Sequence, residues 1–480
     1  MTDIASTSLG QLRGVRVGEV TAWLGVPYAK PPIGDRRFKA PIPVEPWTGV
    51  RDALALSPAA PQLSADSPVA EPIIKKIGTS EDCLYLNIWS PAADGAKRPV
   101  LVWIHGGAFM MGTGATYDGT DFATMGDIVV VTINYRLGVL GFVGFGSLWD
   151  DPRFDDNLGI RDQIAALAWV REHIGAFGGD PDRITIAGES AGAVAVSLLM
   201  LIDAPPFRAA IAQSGAISLI ATRERGIASA KLYADRLGGP DELLAASTQH
   251  LVELHQQVMF ANLGTVTSRP FLDGRVLPAT PADLFTRPTR TVPLLLGSNH
   301  DEATLFAMLR MLPTERPEIE ALARTRIAPD RIDAVLDGYT PDRAGALMLA
   351  RDAMFTVPMI HFAERHPGPT WMYRFDWPTP AFGGVLGAMH ALELFLMWMD
   401  PDRRGTQIML GGPPSAELRA LAERMKRYWI AFVRDGDPGP SWPRYDTQTR
   451  TTRIFHLDDQ LVDDPEGRRR IAWHGLDGLD

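Results

Sequence analysis

The residue types most able to do chemistry in this chain surround Ser190. The segment Gly188-Glu189-Ser190-Ala191-Gly192 follows a β-rich apolar run, Ile184–Ala187, and precedes a stretch with helical character. A serine on a tight strand-to-helix turn needs a glycine two residues away on each side, because larger side chains would clash there. Such a turn exposes the hydroxyl and directs the N–H of Ala191 at the reaction centre. The pattern therefore predicts that Ser190 is a nucleophile.

A second glycine-rich segment, His105-Gly106-Gly107-Ala108-Phe109, comes directly after the apolar run 99–104. Small residues allow backbone N–H groups to approach a developing oxyanion, and each such donor is typically worth about 10²- to 10³-fold in turnover. We expect Gly107 and Ala108 to donate together with Ala191. Gly106 is expected to support this oxyanion loop without contacting the substrate.

A serine hydroxyl also needs a base and a group that orients the base. Where this type of serine turn occurs, the chain order is serine, acid, histidine, so the base must follow the acid. His390, in Gly387-Ala-Met-His390-Ala-Leu-Glu393, is the best candidate, because the other late histidines lack a comparable glycine-flanked setting. The acid follows the apolar run 292–297 and is Glu302, with Asp301 as its rival. The residues alone leave this choice open.

The elements that must position these residues alternate between short apolar strands and helices. Strands are predicted at 99–104, 127–133, 183–187, 209–213 and 292–297, and helices at 160–177 and 191–202. This alternation predicts an α/β fold with a large, mostly parallel, twisted sheet covered by helices on both faces. We expect a single domain spanning 1–480. Helical cap insertions are expected at about 225–265 and 303–400, a small hairpin sheet at 10–28 and a long loop at 51–80.

Composition excludes several classes of function. The net charge is −10, with 47 basic against 57 acidic residues, which argues against a nucleic-acid partner. The single cysteine, Cys83, excludes an intrachain disulfide, the N-terminal residues lack a signal-peptide pattern, and no apolar run approaches the ~20 residues of a membrane span. We therefore expect a cytoplasmic protein that acts on small molecules, as a monomer with a dimer as the alternative. No histidine pair at metal-ligand spacing and no phosphate-binding glycine loop is present, so no metal or cofactor is expected.

The chain resembles the type-B carboxylesterases, the family that includes cholinesterases and bacterial p-nitrobenzyl esterases. The resemblance extends from about Gly10 to Tyr445. In addition to the serine turn, the oxyanion loop and His390, it rests on the segments Gly25–Gly34, Glu81–Asn87, Asn134–Gly138, Phe177–Pro181, Asn299–Glu302 and Trp442-Pro443.

This resemblance implies an α/β-hydrolase fold and a triad of Ser190, Glu302 and His390, because the family uses the glutamate of the corresponding Asp-Glu pair. It implies that Ser214, in Gln213-Ser214-Gly215, lies behind the triad, where Glu189 is also expected. It further implies two buried ion pairs, Arg37 with Glu81 and Arg136 with Asp162.

Two departures from the family pattern concern the segment 51–80. Many members close a disulfide around this loop, but Cys83 has no partner, so we expect a mobile loop that gates the pocket. Cholinesterases bind quaternary ammonium there through an aromatic side chain. Residues 51–80 contain no Phe, Tyr or Trp, which argues against a preference for choline esters.

The predicted function is hydrolysis of carboxylic esters through an acyl-enzyme on Ser190. Apolar residues near the motifs predict a hydrophobic substrate pocket, with packing in the core as the alternative for each: Phe109, Met110, Phe306, Phe395 and Trp398. Two other functions are compatible with the sequence. One is hydrolysis of carbamates or amides by the same triad, and the other is non-catalytic binding on this fold.

Overall fold

The computed structural model of the protein describes residues 3–62, 70–217, 219–262, 267–312, 315–324 and 327–474. The strands within these residues are β1 (Ile4–Thr7), β2 (Gly10–Arg13), β3 (Val15–Val17), β4 (Val20–Pro27), β5 (Val50–Asp52), β6 (Tyr85–Ser90), β7 (Arg98–Ile104), β8 (Val129–Ile133), β9 (Gly179–Glu189), β10 (Ala209–Gln213), β11 (Leu294–Asn299), β12 (Thr370–Phe375), β13 (Thr451–Phe455) and β14 (Gln460–Asp463).

The α-helices are α1 (Ala70–Ile77), α2 (Thr120–Gly126), α3 (Gly138–Gly141), α4 (Phe145–Trp149), α5 (Leu158–His173), α6 (Ala191–Leu201), α7 (Arg223–Leu237), α8 (Pro240–Ala245), α9 (Thr248–Ala261), α10 (Pro281–Thr286), α11 (Glu302–Met308), α12 (Arg316–Arg324), α13 (Ile332–Leu336), α14 (Arg343–Arg351), α15 (Val357–Arg365), α16 (Leu392–Met397), α17 (Arg404–Leu410), α18 (Ala416–Asp435) and α19 (Gly467–Ala472). Short 3₁₀ helices occupy Gly34–Arg36, Gly114–Thr116, Ile174–Phe177 and Ala381–Gly384, and a π-helix occupies Asp352–Thr356.

The central sheet has the strand order β14-β13-β12-β11-β10-β9-β7-β8-β6-β4-β3. Strands β8, β7, β9, β10, β11, β12 and β13 run parallel, whereas the strands at both edges pair antiparallel. Parallel strands bring their carboxyl ends to one edge of the sheet, which is where ligands bind in folds of this type. The predicted mostly parallel sheet is confirmed.

Alternate residues of the central strands face two separate apolar cores. In β7, Val100, Val102 and Ile104 pack in one core, whereas Leu101 and Trp103 pack in the other. Helices α5, α6 and α15 contribute to the first core, and α2, α16 and α18 contribute to the second. Because both faces are covered, the strands read as continuous apolar runs in the sequence.

The structure differs from the sequence-based expectation in three segments. Strands β3 and β4 at 10–28 join the edge of the central sheet, and the separate small sheet is formed by β1, β2 and β5. The predicted loop 51–80 contains helix α1, and residues 63–69, on which the predicted mobility chiefly depends, lie outside the described residues. The predicted cap at 303–400 contains strand β12, whose place between β11 and β13 is buried on both faces.

Helix length and hydropathy bear on membrane insertion. Among the helices of the described residues, none combines the length and the apolar character that crossing a bilayer requires.

Candidate active site

The turn between β9 and α6 holds Ser190 in a strained conformation. Its backbone has φ 55° and ψ −122°, a region that residues with a side chain rarely adopt. The flanking glycines make the turn possible: a Cβ on Gly192 would lie 2.0 Å from Ile104 O, and one on Gly188 would lie 2.5 Å from Gly192 C. The N–H of Ser190 donates to Gln213 O at 2.8 Å, which ties the turn to β10.

The oxyanion loop, residues 105–109, leaves the carboxyl end of β7 and lies directly against this turn. A Cβ on Gly106 would meet Ser190 Cβ at 3.1 Å and Glu189 Oε2 at 2.6 Å, so only glycine allows this approach. Gly107 and Ala108 have φ of 110° and 54°. Within the described part of the chain, no acceptor receives a hydrogen bond from the N–H of Gly107, Ala108 or Ala191. These three groups can therefore donate to a substrate oxygen.

His105 stiffens the base of the oxyanion loop. Its ring stacks on Tyr135 with 4.4 Å between centroids, and its Nδ1 lies 2.8 Å from Gly106 O. The Tyr135 hydroxyl donates to His105 O at 2.7 Å. Burial lowers the pKa of His105 to about 4, so the imidazole is neutral at ordinary pH.

The structure brings His390 to Glu302 and directs Asp301 elsewhere. Nδ1 of His390 lies 2.5 Å from Glu302 Oε2, and the other oxygen of Glu302 accepts the N–H of Asn299 at 2.7 Å. Glu302 follows β11 and is fully buried. Asp301 accepts the N–H of Ala388 at 2.8 Å, so it fixes the segment before His390 instead of contacting the imidazole.

The second ring nitrogen of His390 faces the serine turn. Nε2 lies 3.2 Å from Oε1 of Glu189, the residue before Ser190. Burial opposes protonation of His390, but Glu189 and Glu302 outweigh burial and raise its pKa to about 9. Burial raises the pKa of Glu189 to about 8, against the attraction of His390. Because burying two charges away from water is costly, full burial favours the pair in which Glu189 is protonated and His390 is neutral, as a base must be. Once Glu189 is protonated, it no longer carries the charge that raises the pKa of His390.

A third buried carboxyl, Glu393, belongs to the site although it was not predicted as a site residue. It accepts hydrogen bonds from Asn299 Nδ2 at 2.6 Å and Gln213 Nε2 at 3.1 Å, and Trp429 Nε1 donates to Gln213 Oε1 at 2.9 Å. Burial and the Glu302 charge raise the pKa of Glu393 to about 7. Its position three residues after His390 was the one available signal.

Two neighbouring aromatic rings pack beside the imidazole of His390. The Phe306 centroid lies 4.9 Å and the Phe355 centroid 5.0 Å from the His390 ring, and the two phenyl rings are 5.8 Å apart. Phe306 was expected in the substrate pocket, and the structure does bring it to the base. Phe355 was not identified from the sequence, and it lies within the π-helix 352–356.

Of the other four predicted pocket residues, three are buried and one lines a surface groove. Phe109 is fully buried against Phe142, with 4.6 Å between centroids, and Met110 is buried in the turn of the oxyanion loop. Trp398 is buried in the second core, 4.7 Å from the Trp103 centroid. Phe395 lines a surface groove between α2, α16 and α18. Most of these bulky apolar residues next to the motifs therefore pack in the core.

Ser214 lies behind the serine turn, as the resemblance implies. Its backbone has φ 51°, and its N–H donates to Gly297 O at 2.7 Å. The side chain is fully buried, and its hydroxyl has no hydrogen-bond partner among the described residues. The contact links the end of β10, which pairs with β9 beside the serine turn, to β11, the strand that precedes the acid.

Both predicted ion pairs are present, but only the Arg136–Asp162 pair is buried, whereas Arg37 and Glu81 are partly exposed. Arg136 Nη2 lies 2.7 Å from Asp162 Oδ1, and Asp162 is fully buried. Arg37 Nε donates to Glu81 Oε2 at 2.8 Å, and a second contact joins the same two side chains. The Arg136 pair anchors the loop after β8 to α5, and the Arg37 pair anchors the segment before β6.

Comparison with known proteins identifies the family. The carboxylesterase family model matches residues 2–470. The para-nitrobenzyl esterase of Bacillus subtilis (strain 168) is 35% identical over 97% of either chain, and the phenmedipham hydrolase of Pseudarthrobacter oxydans is 33% identical over 92% of either chain. A solved structure of a PNB esterase covers 98% of this chain and 99% of its own, with a TM-score of 0.90 at 34% identity. The chain belongs to the carboxylesterase family of carboxylic ester hydrolases, and it has the α/β-hydrolase fold.

Proposed function

We propose that this protein hydrolyses carboxylic esters of small to medium hydrophobic acids and alcohols, with Ser190 as the nucleophile, His390 as the base and Glu302 as the acid of the triad. The observation that carries the proposal is the 2.5 Å contact between His390 Nδ1 and Glu302 Oε2. It leaves Nε2 on the side of the serine turn, where a base must act. The aromatic Phe306 beside the base supports a preference for hydrophobic esters.

The reaction proceeds in two steps of acyl transfer. Ser190 Oγ attacks the ester carbonyl while His390 Nε2 takes its proton. The negative oxygen accepts hydrogen bonds from the N–H groups of Gly107, Ala108 and Ala191. His390 then gives the proton to the departing alcohol, and a water molecule releases the acid from Ser190 by the same route.

A burst-phase assay with p-nitrophenyl butyrate tests this proposal. The wild type is expected to release a burst of nitrophenol, and Ser190→Ala is expected to lose at least about 10⁴-fold in kcat. The matched control is Ser197→Ala, which removes a buried hydroxyl further along α6 and is expected to stay within twofold. Absence of turnover by the folded wild type, together with no labelling of Ser190 by a serine-reactive phosphonate, would refute the proposal.

We also propose that the protein acts as a cytoplasmic monomer on small molecules. Its one cysteine, Cys83, is buried and free, so folding does not depend on an oxidising compartment. Light scattering coupled to size exclusion should give a mass near 52.4 kDa. Cell fractionation should recover the esterase activity in the cytosolic fraction, and a dimeric mass or a membrane-bound activity would contradict this assignment.

A further inference from the structure

The π-helix 352–356 is an irregular element at a functional position. It joins α14 to α15, and within it the N–H of Val357 donates to Asp352 O, five residues earlier. A π-turn carries one more residue than an α-turn, and it is rare and frequently found at functional sites. Because its geometry is less favourable than that of an α-helix, it persists where neighbouring contacts hold it.

A buried cluster of charges, the Glu466 cluster, holds the first residue of this π-helix. It consists of Arg351, Asp352, Arg374, Glu466 and Arg469. Nη2 of Arg351 lies 2.7 Å from Asp352 Oδ1 and 2.8 Å from Glu466 Oε2. Arg374 Nη1 donates to Glu466 Oε1 at 2.7 Å, Arg469 Nε donates to Asp352 Oδ2 at 2.7 Å, and Arg469 also pairs with Glu466.

Glu466 is the member on which the arginines converge. Arg351 and Asp352 are each 1% exposed and Glu466 is 7% exposed. Burial alone would raise the pKa of Glu466, but Arg351, Arg374 and Arg469 outweigh it and lower this pKa to about 2. Glu466 is therefore ionised throughout the working range, and its loss would leave the buried Arg351 and the partly buried Arg374 and Arg469 undercompensated.

The cluster is connected to the active site by two short routes. Phe355, on the π-helix, lies 5.0 Å from the His390 ring. Arg351 Nη1 donates to His300 O at 3.3 Å, two residues before Glu302. We propose that Glu466 is a positioning residue for the reaction: it holds the π-helix in register and thereby keeps Phe355 packed against the imidazole of His390. This inference rests on the proposed role of His390 as the base.

The effect follows from helix geometry. If the π-turn relaxed to an α-turn, side chains within and beyond it would rotate by up to about 100° relative to those before it, because an α-helix turns by that angle per residue. Phe355 would then leave the imidazole, and His390 would lose one of the two rings that restrict its orientation. His390 acts in both acylation and deacylation, so both steps would slow.

The test compares Glu466→Gln, Phe355→Ala and the double variant, with kcat counted per phosphonate-titrated active site. We expect Glu466→Gln to lower kcat on the order of tenfold with KM within twofold, since misplacement of a catalytic group by a fraction of an ångström acts on the rate. In the Phe355→Ala background, Glu466→Gln should change kcat by less than twofold. A role confined to stability would lower the titrated fraction or the melting temperature and leave kcat per site unchanged.

Two further variants keep the test decisive. The control is Glu364→Gln. Glu364 lies on α15, the helix that follows the π-helix, and it pairs with Arg450 at 2.9 Å outside the Glu466 cluster, so its substitution should leave kcat unchanged. If Glu466→Gln does not fold, Arg469→Lys is the variant to use in the same test. A lysine retains the charge but cannot reach Asp352 and Glu466 together. The inference would be overturned if the loss of kcat in the double variant equalled the product of the losses in Glu466→Gln and Phe355→Ala. It would also be overturned if folded Glu466→Gln had the kcat of the wild type. A wild type that phosphonate does not label would refute the proposed function instead.

Discussion

The substitution Glu302→Gln tests the triad because it preserves the shape of the side chain and changes which nitrogen of His390 carries the proton. Glu302 now accepts from two donors, the N–H of Asn299 and Nδ1 of His390. Glutamine has only one carbonyl oxygen, which must face the buried N–H of Asn299, since the amide nitrogen cannot accept from a donor. The amide then donates to His390 Nδ1 and moves the proton to Nε2.

A proton on Nε2 prevents His390 from accepting the proton of Ser190. Glu189 Oε1, 3.2 Å away, would accept from this nitrogen and stabilise the unproductive tautomer further. Turning the glutamine over would leave Asn299 without an acceptor, at a cost of about 1–3 kcal/mol. The corresponding change of acid to amide in a serine protease lowers kcat by about 10⁴-fold. We expect a loss of about 10³- to 10⁴-fold, or ~4–5.5 kcal/mol of transition-state stabilisation.

Stopped-flow release of nitrophenol from p-nitrophenyl butyrate measures this loss, and Asp301→Asn is the matched control. Asp301 accepts the N–H of Ala388 and an asparagine oxygen can do the same, so its change should cost less than about tenfold. The reasoning fails if Glu302→Gln retains more than a tenth of the wild-type kcat. It also fails if Asp301→Asn is the more damaging of the two substitutions.

Three further perturbations have expected outcomes. Gly106→Ala should lower kcat by at least about 10²-fold at a nearly unchanged melting temperature, because the added Cβ would push the oxyanion loop away from Ser190. The control is Gly95→Ala, whose Cβ would lie in open space and should leave kcat unchanged. Equal effects of the two substitutions on kcat would contradict this prediction. Arg136→Met should lower the free energy of unfolding, measured in urea, by about 3–5 kcal/mol, because Asp162 stays buried without its partner. The control is Arg13→Met, which removes an exposed ion pair and should cost at most about 1 kcal/mol. Similar losses in the two variants would contradict this prediction. Glu466 has a folded-state pKa of about 2, below its ordinary 4.5, so the stability it contributes is present above pH 4.5 and is lost as the pH falls toward 2. Melting temperatures of the wild type and Glu466→Gln should converge over that range, and a constant gap would contradict the shift.

The sequence was sufficient for the parts of the site that depend on backbone geometry. The serine turn needs glycine at 188 and 192 because their Cβ atoms would strike the neighbouring backbone, and this requirement is visible as a local motif. The continuous apolar runs of β7 to β11 likewise reflect strands that are buried on both faces. The choice between Glu302 and Asp301 came from the family resemblance, since both follow the same strand.

The sequence was insufficient to place those elements and side chains whose positions depend on tertiary contacts. Strand β12 was included in a helical cap, and its one charged residue, Arg374, is satisfied by Asp376 and Glu466. Phe395 and Trp398 stand close to His390 along the chain, but α16 directs them to a groove and to the core. Phe355 is 35 residues from His390 in sequence, and no local motif indicates that the two rings meet.

The strained parts of the site are all attached to rigid ones. Ser190 has φ 55° between a central strand and α6, and Ala108 has φ 54° beside the buried His105–Tyr135 stack. The π-helix is held by buried charges that reach the C-terminal helix α19. Each strained conformation costs about 1–3 kcal/mol and persists only where its surroundings fix it. Substitutions in these supports should therefore impair turnover before they unfold the protein, and the comparison of kcat per titrated site with the melting temperature separates the two effects.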